Sequence, residues 1–154
     1  MSAVQERLAE LGLVVPQVVP PVAAYTPAVR SGSWVYVSGQ LPMVAGALAA
    51  TGKVGADVSP EDAKELARTC ALNAIAALAT VVPDLDSVTR VVKVVGFVAS
   101  TPDFTGQPGV VNGASELFGH AFGDRGVHAR SAVGVAALPL DAPVEVEAIF
   151  EVAD

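Results

Sequence analysis

"PVEVEAIFEV", residues 143–152, decides how this chain folds. Val144, Val146, Ala148, Phe150 and Val152 alternate with Glu145, Glu147 and Glu151, and a period of two belongs to a strand whose successive side chains leave opposite faces. One face must be covered by helices; the other meets something that tolerates carboxylates. Immediately before it, "RSAVGVAAL", residues 130–138, reads as another strand, and the tight turn "PLDA", 139–142, predicts that the two pair as a hairpin.

Working back along the chain, "TPDFTGQPGVVNGASELFGHAFG", 101–123, begins with turn chemistry and continues as a helix with Val110 or Val111, Ala114, Leu117, Phe118 and Ala121 at helical spacing. "DSVTRVVKVVGFVAS", 86–100, has the β-branched density of a strand buried on both faces. "SPEDAKELARTCALNAIAALATVV", 59–82, announces a second helix. Ser59 is its N-cap, Pro60 takes the first helical position, Glu61 and Asp62 oppose the dipole, and Pro83 stops it. "VAGALAATGKVGADV", 44–58, carries three glycines and reads as a loop or mobile hairpin, and "SWVYVSGQ", 33–40, as a strand running into a turn. The order is strands, helix, strand, helix, strands. That predicts an α+β sandwich, a single sheet with two helices packed on one face.

Composition sharpens the expectation. Of 154 residues, 52% are hydrophobic and only 16% charged, against an ordinary ~25%, so the uncovered sheet face is expected to pack against another subunit. The net charge is −7 and the basic residues are scattered; a nucleic-acid backbone needs a basic stripe, and no nucleic-acid partner is expected. The apolar stretches are broken well short of ~18 residues, so no membrane partner is expected either. "MSAVQERLAELGLVV" is an amphipathic segment rather than an export signal, and the reading is a cytoplasmic protein. Cys70, the only cysteine, shares a helix face with Ala63, Leu66, Ala67, Ala71, Ala74 and Leu78, which predicts a core residue. His120 and His128 lack metal-ligand spacing. They read as a helix-end residue and a loop residue beside Arg130, and no metal is expected.

Arg130 stands at the mouth of an apolar strand. A buried guanidinium needs a partner: either a carboxylate of its own sheet or an anion from outside. The predicted hairpin would set Ala136 opposite Glu145 and bring Arg130 near Glu151.

"YTPAVRSGSWVYVSGQLP" (25–42), "ALNAIAALATVVPDLDSVTRVVKVVGFVASTPDF" (71–104), "VVNGASELF" (110–118) and "HARSAVGVAALPLDAPVEVEAIFEV" (128–152) together resemble the RidA/YjgF family of reactive-intermediate deaminases, from Tyr25 to Val152. The resemblance implies one RidA-like domain over 1–154, with 1–22 as an N-terminal extension. It also implies a chorismate-mutase-like fold and a homotrimer with inward-facing sheets and a ligand cleft at each subunit interface. The implied activity is hydrolysis of 2-imino or 2-enamino acids to 2-keto acids and ammonia, without metal or organic cofactor. By the same resemblance Arg130 binds the substrate carboxylate, Glu145 orients the attacking water, and Tyr25, Ser38, Gly39, Asn112 and Ala132 line the cleft. A planar guanidinium fork suits a carboxylate. Structural alternatives stand beside these roles: Tyr25 as a packing ring, Ser38 as a solvated strand end, Asn112 as a helix cap. The chain departs from the family at Ala132, where many members carry cysteine, in "GDRGVHAR" (123–130), and in added length at the N-terminus and over 43–58. A non-catalytic trimer binding small carboxylic metabolites or a partner protein is the alternative function, and an endoribonuclease role ranks third.

Overall fold

Alternating apolar residues need a second layer, and the helices supply it on one side. The computed structural model describes residues 1–18, 20–21 and 23–154. In chain order they form α1 (Ala3–Glu10), β1 (Ala28–Ser31), β2 (Trp34–Gln40), β3 (Met43–Val44), β4 (Ala47–Leu48), α2 (Pro60–Ala79), β5 (Val88–Ala99), α3 (Gln107–Phe122), β6 (Ala129–Val135) and β7 (Val144–Val152). Five strands make one sheet in the order β1-β2-β7-β5-β6, and β3 and β4 form a small separate hairpin, Met43 to Leu48, at the start of the segment read as a loop or mobile hairpin.

α2 starts as expected, with the Ser59 side chain accepting from the Asp62 N–H and Pro60 in the first turn. Its buried stripe, Cys70 included, packs with α3 on the sheet face that β7 presents through Val144, Val146, Ala148, Phe150 and Val152. Phe118 and Phe122 of α3 close on Phe150, each ring centroid 5.9 Å from it.

Besides the strand β1, which the sequence did not suggest, three features differ from the sequence expectation. β6 and β7 are not hairpin partners. β6 runs parallel to β5, β7 runs antiparallel to β5, and β5 lies between them. The end of β5 shows the separation, since Ala99 N–H donates to Pro143 O at 2.9 Å and Ser100 N–H to Val135 O at 3.3 Å. The turn after Leu138 therefore passes over the end of β5 rather than reversing beside β6. Second, β5 is buried on one face only, because Lys93, Val95 and Phe97 remain half-buried on the face without helices. Third, the helical layer has three members. Val4 and Leu8 of α1, one turn apart, are buried, and the Asp86 carboxylate accepts from Ala3 N–H at 2.8 Å and Val4 N–H at 3.2 Å. Those backbone donors hold the Asp86 carboxyl below the usual aspartate range.

The opposite face of the sheet is bare. Val29, Trp34, Tyr36 and Val133 are 42 to 51% exposed there, on either side of a middle that β7 and β5 fill with Glu145, Glu147, Lys93, Val95 and Phe97. Among the described residues no helix is long and apolar enough to cross a membrane.

Candidate functional site

Arg130 sits on β6 opposite Val94 of β5, a core residue, so its side chain leaves the helix face of the sheet at the outer edge. It runs along α3. Nη1 donates to Asn112 Oδ1 at 2.8 Å and to Ser115 Oγ at 3.1 Å, and Nη2 donates to Pro108 O at 3.0 Å. Every partner is neutral. Among the described residues no carboxylate lies within ion-pair distance of Arg130. The intramolecular partner suggested by a hairpin is excluded by the topology: Glu151 lies opposite Trp34 and Arg90 and accepts from Thr89 Oγ1 at 3.1 Å. A guanidinium carries five N–H donors. With three used, Nε–H and one Nη2–H have no acceptor among the described residues.

Asn112 is not a helix cap. It lies in the body of α3, and its side-chain oxygen serves Arg130. Ser115, three residues on and so on the same helix face, was not singled out from the sequence; its spacing from Asn112 is the signal that would have found it. Ala132 follows on β6, two residues after Arg130 and on the same face, opposite Gly96. His128 lies near Arg130 as expected, one hydroxyl away, with Nε2 2.8 Å from Ser115 Oγ.

The other predicted residues gather elsewhere. Glu145 of β7 pairs with Phe97 and points to the bare face. Gly39 of β2 lies against it: a methyl group at that position would run into the Glu145 carboxylate, so any side chain there displaces it. Ser38 Oγ donates to Thr26 O at 2.7 Å, tying the strand end to the segment that carries Tyr25. Tyr25, half exposed, lines a pocket of about 100 Å³ with Gly39, Leu41, Met43 and Leu140. The chain thus forms two half-sites, Arg130 with Asn112 and Ala132 at one sheet edge, and Glu145 with Gly39, Ser38 and Tyr25 at the β2/β7 end. Arg130 and Glu145 leave opposite faces of the sheet with β5 between their strands. One chain does not unite them.

Burial, and then the neighbouring Glu147, push the Glu145 carboxyl above the ordinary glutamate value. A carboxyl raised in the folded state favours folding when protonated. That contribution is complete below the unfolded value of about 4.3 and is lost as pH rises through the raised folded value. Glu145→Gln removes the ionised group, so it is expected to raise the melting temperature at pH 7, with the gain closing as the pH falls below about 4; calorimetry at the two pH values checks it. Burial first, and the charge of Glu145 second, also push the Cys70 thiol well up. Cys70 is a core residue whose Sγ lies 3.7 Å from Val144 O.

Comparison with known proteins agrees with this architecture. The chain is 44% identical over 151 residues to protein TCP17 of Trypanosoma cruzi, covering 96% of this chain and 93% of that one. The crystal structure of Atu1372 from Agrobacterium tumefaciens, a protein of unknown function, superposes with a TM-score of 0.93 at 45% identity, covering 98% of this chain and 93% of that one. TdcF from Escherichia coli, solved with bound serine, superposes with a TM-score of 0.61 at 27% identity, covering 90% of this chain and 94% of that one. The family model described as Endoribonuclease L-PSP matches residues 16–152, and with that match over the whole sheet and both large helices, the chain belongs to this family, also known as RidA/YjgF.

Proposed function

We propose that this chain hydrolyses 2-imino and 2-enamino acids to 2-keto acids and ammonia, at clefts that two copies of the chain build together. The observation that carries the reading is the guanidinium of Arg130, fixed by three neutral acceptors with two N–H donors left over. A positive charge so held is an anion site, and the remaining fork suits a planar carboxylate. The serine bound to TdcF is itself an amino acid with a carboxylate, which supports the same ligand class here.

A second copy is part of the proposal. Glu145 and Arg130 serve one substrate only if they come from different copies, and the uncovered sheet face, with Val29, Trp34, Tyr36 and Val133 exposed beside its carboxylates, offers a surface for association. A homotrimer with the sheets turned inward meets both needs. In the assembled cleft the substrate carboxylate lies on Arg130, and the protonated imine carbon faces the water held by Glu145. As water attacks C2, Glu145 takes one of its protons and then returns it to the nitrogen of the tetrahedral adduct; the C2–N bond breaks, ammonia leaves, and the adduct's hydroxyl proton passes back to the Glu145 carboxylate as the carbonyl forms. A carboxyl that burial makes a stronger base than an ordinary glutamate is suited to taking the proton. Tyr25, Ser38, Gly39, Asn112 and Ala132 shape the cleft. An RNA substrate is not supported, since a net charge of −7 with scattered basic residues offers a phosphate backbone no track.

The test generates 2-iminobutyrate with a threonine dehydratase or an amino-acid oxidase and traps what remains with semicarbazide. The expected result is faster loss of trappable imine in the presence of the protein, with 2-ketobutyrate formed in equal amount. A protein inert on several imino acids, yet still binding 2-ketobutyrate by calorimetry, would instead be a metabolite-binding assembly.

A further inference from the structure

The histidine beside the anion site has its chemistry set by a backbone carbonyl. His128 Nδ1 lies 2.6 Å from Gly126 O, and a carbonyl oxygen only accepts, so Nδ1 carries the proton. In the neutral ring Nε2 is then a bare lone pair, 2.8 Å from Ser115 Oγ. The serine hydroxyl must donate to it. With its only hydrogen committed, Ser115 Oγ turns lone pairs to Arg130 Nη1 at 3.1 Å. The chain of donors and acceptors is directional throughout: His128 Nδ1–H to Gly126, Ser115 O–H to His128, Arg130 N–H to Ser115. The ring is further fixed by Phe118, packed edge to face with centroids 6.2 Å apart.

We propose that Ser115 and His128 are positioning residues that act as one unit on Arg130, locking the guanidinium so that Nε–H and the second Nη2–H present a fixed fork to the substrate carboxylate. The proposal rests on the anion-site reading above and names what makes that site rigid. Without His128, the Ser115 hydroxyl is free to turn its hydrogen back to a carbonyl of its own helix, and its acceptance from Arg130 loses direction. Without Ser115, His128 has nothing to act on. The two removals therefore share one effect rather than adding.

The experiment has two arms. In the free wild-type protein at neutral pH, long-range ¹H–¹⁵N NMR is expected to show His128 as the Nδ1–H tautomer; the Nε2–H tautomer overturns the proposal whatever the protein's activity. In the second arm, Ser115→Ala and His128→Phe, which keeps an aromatic ring beside Phe118, are each expected to weaken 2-ketobutyrate binding about tenfold and raise KM for the imine by a similar factor. Little change in kcat is expected. The double variant should be no worse than either single one, and Ser115→Thr, which keeps the hydroxyl, should restore binding. Additive losses, unchanged affinity, or failure of Ser115→Thr to rescue overturn the unit. Wild-type protein that neither binds 2-ketobutyrate nor consumes imine overturns the anion-site reading itself, a different result from additive variants of a working site.

Discussion

Arg130→Ala is expected to lower kcat/KM for 2-iminobutyrate about 100- to 10,000-fold while leaving the melting temperature nearly unchanged. The first half follows from what the guanidinium has to spare. Two N–H donors carrying a full positive charge form charge-assisted bonds, each worth about 1.5–3 kcal/mol, and about 1.4 kcal/mol corresponds to a factor of ten. The second half follows from where it sits. Arg130 lies on the outer strand β6, and the three acceptors it leaves behind, Asn112 Oδ1, Ser115 Oγ and Pro108 O, lie where water can replace it. Arg130→Lys should fall between, about tenfold down, because an ammonium keeps the charge but not the planar fork. Steady-state kinetics with the trapping assay reads these ratios. Equal kcat/KM for wild type and Arg130→Ala would remove Arg130 from the site.

Gly113→Ala is expected to destabilise the fold by about 2 kcal/mol or more, although alanine is the better helix former by about 1 kcal/mol. Position 113 is where α3 crosses α2, and a methyl group there would overlap the backbone carbonyl of Lys64. A backbone carbonyl inside a helix cannot step aside as a flexible side-chain end can, so the helices must part. Asn112 and Ser115 flank this crossing, and activity should fall with stability. Gly119 of the same helix is the control, since a methyl group there meets nothing within 4 Å. Gly119→Ala should therefore stabilise by about 0.5–1 kcal/mol. Thermal unfolding distinguishes the two: at roughly 2–4 °C per kcal/mol for a chain near this size, the variants move in opposite directions.

What could be read from the sequence was what local chemistry decides. Ser59, Pro60, Glu61 and Asp62 lie within one turn of each other and mark the start of α2 without help from the rest of the chain. The alternation of β7 likewise identifies its covered face. Pairing is another matter. The 139–142 turn has hairpin length, yet it carries Leu140 and Asp141 at positive φ across the end of β5 to a strand position that only the α3 crossover makes necessary. The docking of α1 depends on Asp86, 83 residues from Ala3, and no periodicity reveals that. At the candidate site, Arg130 and Glu145 were suggested by the family resemblance. Their separation onto two faces was not, because it depends on sheet order, and Ser115 carries no motif at all. β1 was missed as a strand, although Gly32, with φ of 62°, makes the turn that pairs it with β2.

The sheet order also bears on how the chain is made. Of the five strands of the sheet, the last in chain order, β7, is the one in the middle, hydrogen-bonded to β2 on one side and β5 on the other. β1 with β2, and β5 with α3 and β6, are close in sequence and can assemble as they leave the ribosome. The two pieces then wait for residues 144–152, at about 5–20 residues per second. Until those arrive, each piece shows an open strand edge, the kind of surface on which another chain can pair. The nascent protein is thus most exposed to misassembly just before its synthesis passes β7, and the insertion of a single strand ends that exposure for both halves at once.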